Sequence, residues 1–258
     1  MTSVPYFAAL REIIARIESE QIHNIRAAGT LIGSVIAKGR VIHTFGAGHS
    51  HMIAEEAFFR AGGLAAVNPI LDPRLLFLDG ALESTRAERE TGYAKQVLER
   101  EDIQSGDAAI IISNSGRNAV PIEMAQEMRG KAVKIIAITN LKQSSRSASR
   151  HVSAKRLFEL ADIVIDNCIP EGDAVLRIPN SSQRIGPSST VAGAAIVNAV
   201  MIEAASHLHQ AGLPIPLFAS VNLPSSSDES LEAVLARWAP RIRLFRTQDG
   251  ASARSKSK

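Results

Sequence analysis

Three stretches of the chain set glycine beside short hydroxyl, amide or imidazole side chains: Gly46-Ala47-Gly48-His49-Ser50-His51, Ser113-Asn114-Ser115-Gly116-Arg117-Asn118 and Gly186-Pro187-Ser188-Ser189-Thr190. Each lies just ahead of a segment with helical periodicity, where a helix start offers unpaired N–H groups and the positive end of its dipole. Glycine lets such a backbone approach an anion, and hydroxyls and amides add neutral donors around it. Turn and capping chemistry explains one such start. Three in one chain point to a small phosphorylated ligand ringed by hydroxyls.

Short apolar runs must present these loops. Val41 to Phe45, Ala65 to Ile70, Ala108 to Ile112, Val133 to Thr139 and Asp162 to Asp166 alternate with helical stretches at His51 to Ala61, Glu88 to Arg100 and Val120 to Arg129. The runs IIIS and KIIAIT are too continuous to alternate faces, as strands covered on both sides of a parallel sheet are. The pattern predicts a doubly wound α/β domain with a five-stranded parallel sheet, whose ligands gather at the carboxyl ends of the strands. Ahead of it, Phe7, Leu10, Ile14, Ile17, Ile25, Ala28, Ile32 and Val35 repeat at helical spacing, in one long helix or two stacked ones over residues 7–37. Gln21 interrupts that stripe, and Gly29 and Gly33 mark a weak point or a close packing contact. A long helix from Ser188 to Gln210 and a last one from Asp228 to Ala239, capped by Ser226, Ser227 or Asp228 and stopped by Pro240, complete a single domain over residues 1–246.

Composition removes several classes of function. One cysteine, Cys168, excludes a disulfide framework and a Cys-rich zinc site and fits a reducing cytoplasm. No uninterrupted apolar run reaches the roughly 18 residues of a membrane span, and the N-terminus lacks a signal-peptide pattern. The net charge of +3 arises at one end: residues 239–258 hold six cations against Asp249 alone, leaving the rest at −2. A nucleic-acid footprint across the body is therefore not expected, and the polar residues 247–258 read as a disordered basic tail. The first loop lacks the full GxGxxG spacing, and AAVNPI carries no acidic residue at its end, which argues against a nicotinamide or flavin cofactor. No cofactor and no metal are expected. His207 and His209, two apart, do not share a helix face and read as surface residues.

The motifs GAGHSH, ISNSGRN and GPSST, in that order and setting, resemble the sugar isomerase (SIS) domain family from about Ile36 to Leu213. The chain is similar to a single-domain phosphosugar-binding branch, with phosphoheptose isomerase and N-acetylmuramic acid 6-phosphate etherase among its relatives. The resemblance implies a flavodoxin-like fold with Gly46, Gly48, Ser50, His51, Ser113, Asn114, Ser115 and Asn118 around the ligand and its phosphate, and Ser188, Ser189 and Thr190 on a third ligand loop. Where phosphoheptose isomerases hold metal with His and Glu, this sequence has Glu56 and Arg60. The stretch Asp79 to Gly92 is similar to an acidic helix of the etherase and places Glu83 near a catalytic glutamate position, with Glu88 competing for it.

Isomerisation of a sugar phosphate and elimination of an ether at its C3 both begin by taking a proton beside a carbonyl, the work of a tuned carboxylate or imidazole. Glu83 is the first candidate base, Glu55 or Glu56 the second, and His49 or His51 the acid/base for ring opening. Asn198, two turns into the long helix, faces either the ligand or the core. The sequence thus predicts a metal-independent sugar-phosphate isomerase or lyase, homo-oligomeric and cytoplasmic; the alternative is a non-catalytic phosphosugar sensor. A DNA-binding regulator would need a module larger than the residues ahead of the first strand.

Overall fold

The structure, a computed structural model, describes residues 2–219 and 231–246. Five parallel strands, β1 (Ile42–Gly46), β2 (Val67–Ile70), β3 (Ala108–Ile112), β4 (Lys134–Thr139) and β5 (Ile163–Asp166), lie in the order β2-β1-β3-β4-β5. That is the flavodoxin-like order, with its switch point between β1 and β3. Gly46 pairs with Ile112 at the carboxyl ends of those strands, so the loops that follow β1 and β3 emerge side by side. The central strand is buried throughout because both faces are covered: Ile110 and Ile112 point into one apolar cluster, Ala109 and Ile111 into the other.

One cluster is closed by α1 (Val4–Ala37), α2 (His51–Glu56) and α7 (Ser189–Gln210), the other by α4 (Tyr93–Leu98) and α5 (Ala119–Gly130). The N-terminal stripe forms one helix of 34 residues. Gln21 does not break it, because its side-chain oxygen leaves the stripe to accept the Asp166 N–H at 3.1 Å. Gly29 and Gly33 are contact points: a Cβ on Gly29 would lie 2.9 Å from the backbone carbon of Glu203, and one on Gly33 would lie 2.9 Å from the Ala204 carbonyl. Only bare backbone lets α1 and α7 cross this closely. The same crossing brings His207 in from the surface position expected for it; its Nε2 lies 3.1 Å from Ser34 Oγ. Helix α7 is long and apolar enough to cross a membrane, yet Ile196, Val197, Val200 and Ala204 on it are fully buried against α1 and the sheet, as in a core helix.

Several helices are shorter than the periodicity predicts. The first crossover helix stops at Glu56, where Phe58 and Phe59 turn out to pack with Phe218 and Phe245. The next, expected from Glu88 to Arg100, is confined to α4, which starts after Gly92 in the left-handed region at φ 86°, and a separate helix α3 (Ala81–Ala87) precedes it. Helix α6 (Leu141–Arg146) and an antiparallel hairpin of β6 (Ala174–Arg177) and β7 (Arg184–Pro187) are additions to the expected elements. Their strands are four residues long and lie partly exposed, too short for a periodic signal. Helix α8 (Leu231–Trp238) buries Val234 and Trp238. The proposed caps at Ser226 to Asp228 and the tail 247–258 lie outside the described residues.

Candidate functional site

The loop after β3 folds around Gly116, whose φ of 56° is open to glycine and whose Cβ position would lie 2.8 Å from Ser144 Oγ. Its N–H donates to buried Ser113 Oγ at 3.1 Å. Acceptance of that bond leaves the Ser113 hydroxyl proton for another acceptor. Asn114 turns the other way: its Oδ1 accepts from Asn167 Nδ2 at 2.7 Å, and its carbonyl accepts from the Asn140 N–H and from Thr139 Oγ1, both at 3.1 Å. Asn114 thus ties the loop to the ends of β4 and β5. Thr139, Asn140 and Asn167, all buried, are structural partners that the motif did not single out; their only sequence signal was the polar cluster directly after two apolar runs.

Asn118 stands at the N-cap of α5 but its side chain makes no capping bond, which separates it from ordinary helix starts. Instead its Oδ1 accepts from Arg150 Nη1 at 3.1 Å, and its side chain lies beside the Glu88 carboxyl. Glu88 is further held by its own carbonyl, which accepts the Val120 N–H at 3.1 Å. Burial pushes the Glu88 carboxyl above the ordinary carboxylate range, against the opposing pull of the Asn118 bond and of the Arg89 and Arg150 charges. Such a group, raised by desolvation and placed beside a hydroxyl-rich loop, has the character of a general base or acid.

Glu83, by contrast, is ion-paired: Arg74 donates to its Oε1 from Nε at 3.1 Å and from Nη2 at 2.9 Å, and also reaches Glu90 at 2.8 Å. It lies half-buried in the first turn of α3. Sequence spacing alone did not separate it from Glu88; the fold does, because only Glu88 reaches the start of α5.

The first loop closes where the sequence places it. A Cβ on Gly46 would overlap the backbone of Ser50, so the chain can fold back tightly only with glycine there, and the Gly48 N–H donates to the Leu75 carbonyl at 2.9 Å. His51 Nδ1–H donates to the Gly48 carbonyl, which leaves Nε2 as the accepting nitrogen. Exposed His49 packs on Phe77 with ring centres 4.8 Å apart, and His51 on the same ring at 5.9 Å. Glu55 is exposed. Glu56 pairs with Arg60 and accepts from Asn198 Nδ2 at 2.9 Å, so Asn198 faces Glu56.

At the start of α7, Ser188 and Ser189 both turn to one carboxylate of the chain itself. Asp173 accepts from the Ser188 and Ser189 N–H groups at 2.8 and 2.6 Å and from Ser189 Oγ at 2.8 Å, while Ser188 Oγ donates to its carbonyl at 2.9 Å. The anion at this helix start is the chain's own Asp173. Thr190 is half-buried beside them. Among the described residues, no group of three or more His, Cys, Asp or Glu side chains is placed to hold a metal ion.

A flavodoxin-like sheet with glycine-and-hydroxyl loops after β1 and β3 defines a class of protein that sequence comparison confirms. The SIS domain model matches residues 5–140, and the chain belongs to the SIS domain family. Within it, the chain is 41% identical over 233 residues to a UPF0309 protein of Listeria innocua, covering 90% of this chain and 94% of that one. It is 39% identical over 237 residues to a UPF0309 protein of Geobacillus thermodenitrificans, covering 92% and 95%. Among solved structures, the phosphoheptose isomerase of Neisseria gonorrhoeae shares the fold at a TM-score of 0.51 and 15% identity, over 78% of this chain and 96% of that one.

Proposed function

We propose that this protein is a metal-independent sugar-phosphate isomerase or lyase that takes a proton beside a carbonyl. The observation that carries the reading is the Glu88 carboxyl beside Asn118: a desolvated carboxyl held at the start of α5, next to the loop whose Ser113 and Ser115 offer hydroxyl donors to a phosphate, with the Gly116 N–H fixing Ser113 Oγ. In this arrangement the phosphate sits against Ser113 and Ser115, and the sugar extends toward the loop of Gly46 to His51. Glu88 abstracts the proton and His51, through Nε2, assists ring opening, with His49 and Ser50 alongside. Glu83 orients Arg74, and Glu56 is engaged by Arg60 and Asn198. The likeness to a phosphoheptose isomerase in fold and membership of the SIS family both support a phosphosugar as the ligand.

The phosphate assignment is tested by replacing Ser113 and Ser115 together with alanine. A thermal-shift panel pairing sugar phosphates with their unphosphorylated parents should show stabilisation by the phosphates in the wild type. The double variant should lose that shift while its ligand-free melting temperature stays within a few degrees. An intact shift refutes the assignment.

We further propose a closed symmetric homo-oligomer, the default for soluble enzymes, with the outer end of α1 in the interface. Helix α1 leaves Val4 and Phe7 exposed at 68% and 54%, and its 34 residues reach about 51 Å, longer than the five-stranded sheet needs for cover. Sedimentation equilibrium at micromolar concentration should give a multiple of 27.6 kDa; a monomer argues decisively against the interface.

A further inference from the structure

Three guanidinium groups gather beside the Glu88–Asn118 pair. Arg117 belongs to the phosphate loop itself, Arg150 donates to Asn118 Oδ1 at 3.1 Å, and Arg89 follows Glu88 in the chain. Among the described residues none of the three forms an ion pair with a carboxylate, a state they share with Arg40, Arg86 and Arg177; what sets this group apart is the buried end of Arg117. Arg117 Nε is buried and has no hydrogen-bond partner, an arrangement that is unfavourable for a polar group unless something binds there.

The position of Arg150 is built rather than incidental. Its N–H donates to the Arg117 carbonyl at 2.8 Å, laying residues 149–153 over the phosphate loop. The next residue, His151, lies with Nε2 3.3 Å from Glu123 Oε1 on α5, and Glu123 in turn accepts the Gly92 N–H at 2.9 Å. The segment carrying Arg150, the segment carrying Glu88 and Arg89, and α5 are thus locked to one another. Partial desolvation, and then the like charges of Arg117 and Arg89, push the Arg150 guanidinium below its usual value.

On the phosphosugar reading the phosphate is met by the neutral hydroxyls of Ser113 and Ser115, which leaves the two guanidinium groups of Arg117 and Arg150 for a further acceptor. We infer that the ligand carries a second anionic group besides its phosphate, and that Arg117 and Arg150 receive it beside Glu88. The chemistry recognised is a planar or tetrahedral oxyanion, which guanidinium groups bind in bidentate fashion. The inference rests on the phosphosugar reading above and adds the substrate class: a sugar-acid phosphate or a sugar bisphosphate. An oxyanion there also sits next to the base, where it would fix the sugar carbon to be deprotonated.

Isothermal titration of the full chain with two matched pairs tests this: 6-phosphogluconate against glucose 6-phosphate, and fructose 1,6-bisphosphate against fructose 6-phosphate. The doubly anionic member of at least one pair should bind about tenfold tighter or better, the worth of one added charge-assisted contact. A gain in the first pair identifies a carboxylate and a gain in the second identifies a phosphate. R117Q and R150Q should each cut that gain, while S113A/S115A should abolish binding of every member. Equal affinities within both pairs, or arginine variants that weaken both members of a pair alike, overturn the second anion and leave the phosphate reading standing. Binding that survives S113A/S115A, or no binding by any of the four compounds at 10 mM, overturns the phosphosugar reading and the inference with it. Should either arginine variant be unfolded by circular dichroism, R117K and R150K replace it; they keep the charge but lose the fork, and should retain only part of the gain.

Discussion

Glu88→Gln should stop solvent deuterium from entering the bound sugar phosphate while leaving the ligand bound. Glutamine keeps the size of the side chain and its contact with Asn118 but takes no proton, and loss of a positioned general base costs about 10²- to 10⁴-fold in rate. The same substitution in Glu83, whose carboxylate is engaged by Arg74, should reduce exchange far less. Exchange that persists in Glu88→Gln and fails in Glu83→Gln would move the base to α3. If no sugar phosphate exchanges deuterium with the wild type yet several stabilise it, the protein is a sensor rather than an enzyme.

The pH dependence carries a sign of its own. Because burial holds the Glu88 carboxyl above its ordinary range, the base form appears only as pH rises past that elevated value, and the rate should climb there rather than near pH 4. For stability the direction is opposite. A carboxyl with a raised folded pKa binds more protons folded than unfolded, so its contribution is complete below the unfolded pKa and is lost as pH rises through the folded one. Glu88→Gln should therefore be at least as stable as the wild type at neutral pH, the mark of a residue retained for chemistry at a cost in stability.

Asp107→Ala should have the opposite profile, with little direct effect on ligand binding in whatever fraction folds and a loss of about 3 to 5 kcal/mol in stability. Asp107 is fully buried at the amino end of the sheet. Its Oδ1 accepts the Val41 N–H at 3.1 Å, and its Oδ2 accepts the Gln104 N–H at 2.8 Å, His43 Nε2–H at 3.1 Å and Arg241 Nη2 at 2.7 Å. Asn68 donates to His43 Nδ1, which fixes the tautomer that leaves Nε2–H for Asp107. Removing the carboxylate takes the acceptor from the Val41 and Gln104 N–H groups and from His43 Nε2–H, and leaves Arg241, on the segment after α8, held by Asp102 alone.

Burial raises the Asp107 carboxyl, but the bonds from His43, Gln104 and Val41 outweigh it and hold the group below its ordinary value. Its stabilisation is therefore fully present above the unfolded carboxyl pKa of about 3.9 and fades as pH falls through the lower folded value. Urea midpoints compared at neutral pH and below pH 4 should show the variant losing most at neutral pH and the gap narrowing in acid. A loss under about 1 kcal/mol at neutral pH would mean that the network contributes no more than a surface pair.

The sequence by itself determined the five strands, their parallel sheet and the loops after the first and third of them. Those follow from local chemistry: continuous β-branched runs demand cover on both faces, and Gly46 and Gly116 occupy positions where a side chain has no room. It also marked Gly29 and Gly33 without saying whether they weaken α1 or pack it. What only the tertiary structure decided concerns pairings between residues far apart in the chain. Periodicity reports which face of a helix is apolar, never which partner approaches it, so it could not place α7 against those glycines or draw His207 into the crossing. Nor could spacing within Asp79 to Gly92 choose between two glutamates five residues apart. Arg74 claims one and Asn118 the other, and the third hydroxyl-rich helix start is claimed by Asp173, because a charge buried on folding goes to whichever partner the topology sets within hydrogen-bond reach.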